Sequence, residues 1–139
     1  MEVRISRPRI CAPAETAVIL LDTHAVVWIA QGHRRARPLE RLARLYFSPA
    51  SLLEIQFLVE VGRLRLTPGS SSATLAGDDR WRLDEPPSAK WFETASESSW
   101  TRDPFDRLLV AHARLRGWKL ATADDMILAN LPASDVWPL

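Results

Sequence analysis

The stretch whose reading decides the fold is Ala17-Val-Ile-Leu-Leu-Asp-Thr-His-Ala-Val-Val-Trp-Ile-Ala30. Its first five residues are all apolar and partly β-branched, which suits a strand buried on both faces, as in a parallel sheet. Asp22-Thr23-His24 follows. Ala25 to Ala30 then reads as a helix that Gln31-Gly32 stops. Strand, carboxylate, helix is the start of a βα unit. In open parallel sheets ligands bind outside the carboxyl ends of the strands, so Asp22 falls where chemistry is expected.

Working outward, the alternation continues. Arg34 to Leu45 spaces Leu39, Leu42 and Leu45 between arginines and reads as an amphipathic helix with a basic outer face. Tyr46-Phe47-Ser48 is a short strand. Pro49 and Ser51 open a helix over Leu52 to Val61 that Gly62 closes, with Glu54 in its first turn. Pro68 to Asp79 is rich in Gly, Ser and Asp, has no period, and reads as the most flexible interior stretch. Trp81 to Leu83 is a short strand, and Pro86-Pro87-Ser88 opens a helix over Ala89 to Ser98. Asp103 and Pro104 begin a long helix that Gly117 stops. Trp118 to Thr122 is a strand, Met126 to Leu131 a short helix, and Val136-Trp137 a last strand. Helix and strand at this spacing mean an α/β fold with a central, mostly parallel sheet. Residues 1–16 mix basic, apolar and proline residues without period and read as a loosely ordered N-terminal extension. Residues 17–139 read as a single domain.

Composition narrows the partners. The formal net charge is +1, so global charge does not advertise nucleic-acid binding and any such contact comes from local patches. Cys11 is the one cysteine, so no internal disulfide forms and a reducing cytoplasm is the expected compartment. No apolar run approaches a membrane span, and no secretory signal follows Arg4, Arg7 and Arg9.

Four acids share one address in this architecture. Asp22 follows the first strand, Glu54 lies near the start of the helix after the second, Asp106 opens the long helix, and Asp124 follows a later strand. Those strand ends and helix starts lie along one edge of the sheet. Crowded carboxylates repel one another and raise their pKa values unless a cation neutralises them. All-oxygen ligation favours Mg²⁺ or Mn²⁺ over zinc. Such an ion acidifies a water and offsets charge on a phosphoryl oxygen, which points to phosphodiester hydrolysis by metal-activated water. Taken singly, each acid has an ordinary explanation as a cap or turn residue, and the argument rests on their joint placement. Thr23, Ser51 and Thr122 are placed to support the carboxylates, and helix capping explains the first two equally well. His24 and His112 read as packing or hydrogen-bonding residues. Arg34, Arg35, Arg37, Arg41 and Arg44 form a basic run, and Arg63, Arg65, Arg102 and Arg107 fall on loops at the site side. Arg102 and Arg107 are the expected RNA-binding pair, and Trp81, Trp91 and Trp100 the candidates for base stacking.

The ordered set Leu20-Leu-Asp-Thr-His-Ala25, Ser48-Pro-Ala-Ser-Leu-Leu-Glu-Ile55, Gly62-Arg-Leu64, Arg102-Asp-Pro-Phe-Asp-Arg-Leu-Leu109 and Ala121-Thr-Ala-Asp124 resembles the PIN domain family, and within it the VapC-type toxins of type II toxin–antitoxin systems. The resemblance covers about residues 17 to 139. It implies a three-layer, Rossmann-like α/β/α sandwich and a Mg²⁺- or Mn²⁺-dependent endoribonuclease. Carried over by position, Asp22, Glu54, Asp106 and Asp124 match the family's catalytic acids, with Asp22, Asp106 and Asp124 as the metal ligands and Asp103 as a cap that supports the site. The implied partners are the RNA substrate, a small VapB-type antitoxin whose C-terminal segment covers the acidic groove, and a second copy of the chain. The first 16 residues have no counterpart in the family's usual pattern, and the segment from Gly32 to Tyr46 is short. A catalytically inactive PIN-like binding module is the main alternative. A Mg²⁺-binding receiver domain would need an acidic pair after the first strand and a late lysine, and a HAD-type phosphatase would need Asp-x-Asp where position 24 is His.

Overall fold

A computed structural model describes residues 16–139, so the expected extension, Thr16 apart, lies outside the described residues together with Cys11. The first described element is β1 (Ala17–Leu21), and Ile19, Leu20 and Leu21 are fully buried. Side chains of a strand alternate faces. Ile19 and Leu21 accordingly enter one core with Val26, Ile29, Leu39 and Ile55, while Leu20 enters a second with Trp91, Leu109, Val110 and Ile127. An unbroken apolar run is what a strand covered on both faces requires. Burying each such side chain contributes about 1.5–3 kcal/mol.

Asp22 caps α1 (Thr23–Ala30). A 3-10 turn (Arg34–Ala36) leads into α2 (Arg37–Leu42), and β2 spans Ala43–Phe47. Then come α3 (Pro49–Glu60), α4 (Ser72–Ala76), β3 (Arg82–Leu83), α5 (Ser88–Ala95) and α6 (Pro104–Arg116). The chain closes with β4 (Lys119–Thr122), α7 (Asp125–Asn130), a 3-10 turn (Ala133–Asp135) and β5 (Val136–Pro138). The sheet order is β3-β2-β1-β4-β5 and every pairing is parallel. Helices α1 to α4 supply the apolar side chains on one face, and α5 to α7, joined by Ala50 of α3, those on the other. This is the three-layer α/β/α sandwich the sequence implied. From β1 at the centre of the sheet the strands build to one edge, and then return to build the other. The crevice at the carboxyl end of β1, between those two directions, is therefore the switch point.

Four expectations are corrected. The amphipathic helix over Arg34 to Leu45 is cut short at Leu42, because Ala43 to Leu45 pair with Ala17 to Ile19 and bury Leu45 against the sheet. Helix α1 starts two residues early, at Thr23, since the Asp22 carboxylate accepts from the Ala25 N–H at 2.7 Å and nucleates the turn. Helix α3 starts at Pro49 under a Ser48 cap, so Glu54 lies in the second turn rather than the first. The stretch from Pro68 to Asp79 is not featureless: a Ser71–Thr74 capping box sets up the short helix α4. Among the described residues no helix is long and apolar enough to cross a membrane.

Candidate active site

Each of the four predicted acids is delivered to the switch point by a cap or a helix. The Asp22 N–H donates to the Ala121 carbonyl at 3.1 Å, which ties the end of β1 to the end of β4. Asp124 follows β4 and caps α7, accepting from the N–H groups of Met126 and Ile127 at 2.9 and 3.0 Å. Thr122 joins these two acids: its hydroxyl oxygen accepts from the Asp124 N–H at 3.0 Å while the side chain hydrogen-bonds the Asp22 carboxylate. Asp103 caps α6 by accepting from the N–H groups of Phe105 and Asp106, at 2.8 and 3.4 Å. Asp106 then falls in the first turn of that helix.

Glu54 reaches the same place from α3. Thr23 Oγ1 donates to Glu54 Oε1 at 2.5 Å and lies 2.9 Å from Ser51 Oγ. A hydroxyl has one proton to give. Thr23 gives its own to Glu54, so Ser51 donates to Thr23, and the three form a directed relay that ends on the carboxylate. Capping is thus not the role of Thr23 or Ser51; the caps are Asp22 and Ser48.

These side chains line one cleft of about 700 Å³. Asp22, Glu54, Asp103, Asp106 and Asp124 contribute the acids, with Thr23 and His24 beside them. Ser51 and Thr122 are buried behind it. The electrostatics follow from this crowding. Burial pushes the Asp106 carboxyl up to about 7, helped by the charges of Asp103, Asp124, Glu54 and Asp22. Burial also raises Asp22, against the opposing hydrogen bonds from Thr122 and Ala25, and it raises Glu54 against the bond from Thr23. Among the described residues Asp106 is the one cleft acid whose carboxylate has no hydrogen bond or ion pair with the protein.

The three acids assigned to metal, Asp22, Asp106 and Asp124, share this cleft without forming a ready ligand set. Among the described residues no group of three or more His, Cys, Asp or Glu side chains is drawn together so as to hold a metal ion. The physical reason is that like charges spread apart, and the carboxylates of Asp22 and Asp124 turn toward the helix N–H groups they cap. The donor chemistry nevertheless fits a hard divalent cation. Every candidate ligand is an oxygen, several acids converge on one cavity, and among the described residues the carboxylate with no protein partner is pushed up to about 7.

The expected RNA contacts fall differently. Neither Arg102 nor Arg107 lines the cleft, and Arg107 Nε donates to the Thr101 carbonyl at 2.8 Å. Arg63 is the Arg or Lys that does line it among the described residues. Within the basic run, Arg35 lies over the Trp28 ring and donates to the Leu139 carbonyl, and Arg44 donates to the Tyr46 hydroxyl. Trp81 and Trp91 are buried and donate their indole N–H groups to Leu75 and Leu108 carbonyls, so they are core. The exposed aromatic of the cleft is Phe57, 48% exposed and paired with Phe105 at 6.2 Å between centroids. Sequence reasoning passed over it, yet Phe57 lies three residues beyond Glu54 on a helix, the spacing that shares a face.

The model of the PIN domain matches residues 19–132. Ribonuclease VapC22 of Mycobacterium tuberculosis is 30% identical over 112 residues, which is 76% of this chain and 86% of that protein. Two solved structures share the fold: a toxin–antitoxin complex from Klebsiella pneumoniae and VapBC2 from Rickettsia felis bound to a DNA fragment from their promoter. The first has a TM-score of 0.62 at 17% identity, covering 87% of this chain and 99% of the other. The second has a TM-score of 0.60 at 15% identity, covering 87% and 98%.

Proposed function

The chain belongs to the PIN domain family, and on that footing we propose that it is a divalent-metal-dependent endoribonuclease, the toxin of a VapB–VapC-type pair. The observation that carries this reading is the convergence of Asp22, Glu54, Asp106 and Asp124 on one cleft at the switch point of an all-parallel sheet. Asp22, Asp106 and Asp124 would hold Mg²⁺ or Mn²⁺. When bound, such an ion neutralises the acids, makes a water more acidic and offsets charge on the phosphoryl oxygens.

The chain's own residues supply the rest. Hydrolysis adds a water oxygen to phosphorus and breaks one P–O ester bond, so the site must take up one proton and return one to the departing oxygen. Glu54 is suited to this exchange. Its carboxyl is raised, and Thr23 fixes Oε1 and leaves Oε2 without a partner among the described residues. Thr122 holds Asp22 and Asp124 in register, and Asp103 starts the helix that presents Asp106.

The remaining features of the proposal are a domain spanning 17–139, which the single sheet from Ala17 to Pro138 supports, and a homodimer in the cytoplasm. The antitoxin segment would lay a basic residue into the acid cleft and apolar residues against Phe57 and Phe105, which line it. The absence of an assembled ligand set among the described residues favours the inactive binding module as second reading.

One experiment separates the two. The purified chain is expected to cleave RNA with Mg²⁺ or Mn²⁺, to stop in excess EDTA, and to lose activity on Asp22→Ala or Asp106→Asn. Cleavage that persists in EDTA or in both variants sinks the metal-site reading, and an inert wild-type chain leaves the binding module.

A further inference from the structure

Arg63 stands out once the cleft is described. It is the Arg or Lys of a wall otherwise lined by acids, apolar groups, Thr23 and His24, and it makes no hydrogen bond or ion pair through its guanidinium among the described residues. An arginine that lines the same cleft as several carboxylates and pairs with none of them is free for an external anion. Its position is fixed by backbone geometry. Helix α3 ends in a left-handed Gly62, with φ 77°, and the Arg63 N–H donates to the Leu58 carbonyl at 2.9 Å. Arg63 also lines a second groove, of about 680 Å³, that runs along Gly62 to Ser71 and carries Arg65. It is the residue common to both cavities. Arg65 likewise has no side-chain partner among the described residues, and Phe57 exposes its ring on the cleft side of the junction.

We propose that Arg63 is a phosphate-holding residue at the junction of the acid cleft and the Gly62–Ser71 groove, and that a single-stranded RNA leaves the cleft along that groove past Arg65. This deepens the ribonuclease reading and rests on it for the identity of the polyanion. A guanidinium at this junction offsets the repulsion between the acids and the phosphates flanking the reacting one, and a ring beside it gives a base a face to stack on.

The test is a fluorescence-anisotropy titration of a labelled, short single-stranded RNA against the full chain in Mg²⁺ buffer. Asp106→Asn is the common background, so that the RNA survives. In that background Arg63→Ala is expected to weaken binding about tenfold, as loss of a charge-assisted contact does. It is expected to flatten the slope of log affinity against log salt by about 0.7. Arg63→Lys restores the slope, and Arg114→Ala, remote on α6, behaves as the parent. In the active chain Arg63→Ala raises KM and leaves kcat nearly unchanged. Unchanged affinity and slope in Arg63→Ala overturn the proposal. So does an equal loss in Arg114→Ala, or a loss confined to an oligoglutamate peptide, which would assign Arg63 to an acidic protein. Arg63-dependent binding by a wild-type chain that cleaves nothing removes the nuclease reading and leaves this subsite. Cleavage with Arg63-independent binding does the reverse.

Discussion

Asp106 and His112 lie six positions apart on one helix, the first half-buried and the second fully buried, and show two opposite uses of a polar group. Asp106 has no hydrogen-bond or ion-pair partner among the described residues and is pushed up to about 7 by burial and by four neighbouring acids. Its folded value lies above the ordinary one, so its protonated form stabilises the native state fully below about pH 4, and that contribution is lost as the pH rises through about 7. Asp106→Asn lacks the loss. Measured without divalent metal, its thermal midpoint minus that of the wild type should therefore grow between about pH 5 and about pH 8, and a flat difference would show that Asp106 is not held near those charges. His112 is fully satisfied. Burial pushes the Asp84 carboxyl up, but hydrogen bonds from Arg116 and His112 outweigh it and hold Asp84 below the usual range. An ionised Asp84 only accepts, so His112 Nε2 carries the proton it receives at 2.7 Å. Burial keeps the ring neutral, so Nδ1 accepts from the Ser48 hydroxyl at 2.9 Å. His112→Ala opens a cavity and strands Asp84 and Ser48, which should cost about 3 kcal/mol in a denaturant titration. A loss below about 1 kcal/mol would mean that the relay contributes little to the fold. The lowered pKa adds a wild-type stability that is present above about pH 6.5 and lost as the pH falls, because the unfolded chain takes the proton first.

At the scale of elements, α3 is the connector. Its cap, Ser48, pairs with His112 of α6, while Ser51 and Glu54, three residues apart on one face, meet Thr23 of α1. Ser51→Ala removes the donor to Thr23, so the hydroxyl that holds Glu54 Oε1 loses its own anchor. The expected result is a lower kcat at nearly unchanged KM, with a stability loss of about 1 kcal/mol. A pure KM effect would instead place Ser51 in substrate binding. The two long helices were legible to different degrees. Helix α6 carries all its signals locally: Asp103 as cap, Pro104 in the first turn, and Gly117 at φ 70° to end it. The start of α3 was misread by three residues because Ser48, Pro49 and Ser51 are all plausible openers by local rules. Pairing of Phe47 with Leu21 ends β2 at the residue before Ser48 and so decides among them.

For the whole molecule, the order β3-β2-β1-β4-β5 puts the ends of β1 and β4 side by side and makes the acids converge. A cation that binds there binds the folded chain and stabilises it by mass action. Magnesium chloride should therefore raise Tm, relative to sodium chloride of equal ionic strength, and by more at about pH 8 than at about pH 5.5, where Asp106 holds a proton. Equal shifts at both values would show that the ion acts elsewhere. The sequence by itself determined the α/β class, the five strands and the Asp103 cap, and it singled out the four acids that the fold brings to one cleft, because apolar period, capping residues and turn residues act over a few neighbours. It could not assign Ala43 to Leu45, whose leucine spacing is helical and whose strand state comes from pairing with β1. It named Arg102 and Arg107, whereas the cleft is lined by Arg63 and Phe57. It left the donor of the Ser51–Thr23–Glu54 relay and the Asp84 partner of His112 unread. Those facts join residues 28 to 31 positions apart, and only the packing of separate elements brings such side chains within hydrogen-bond reach.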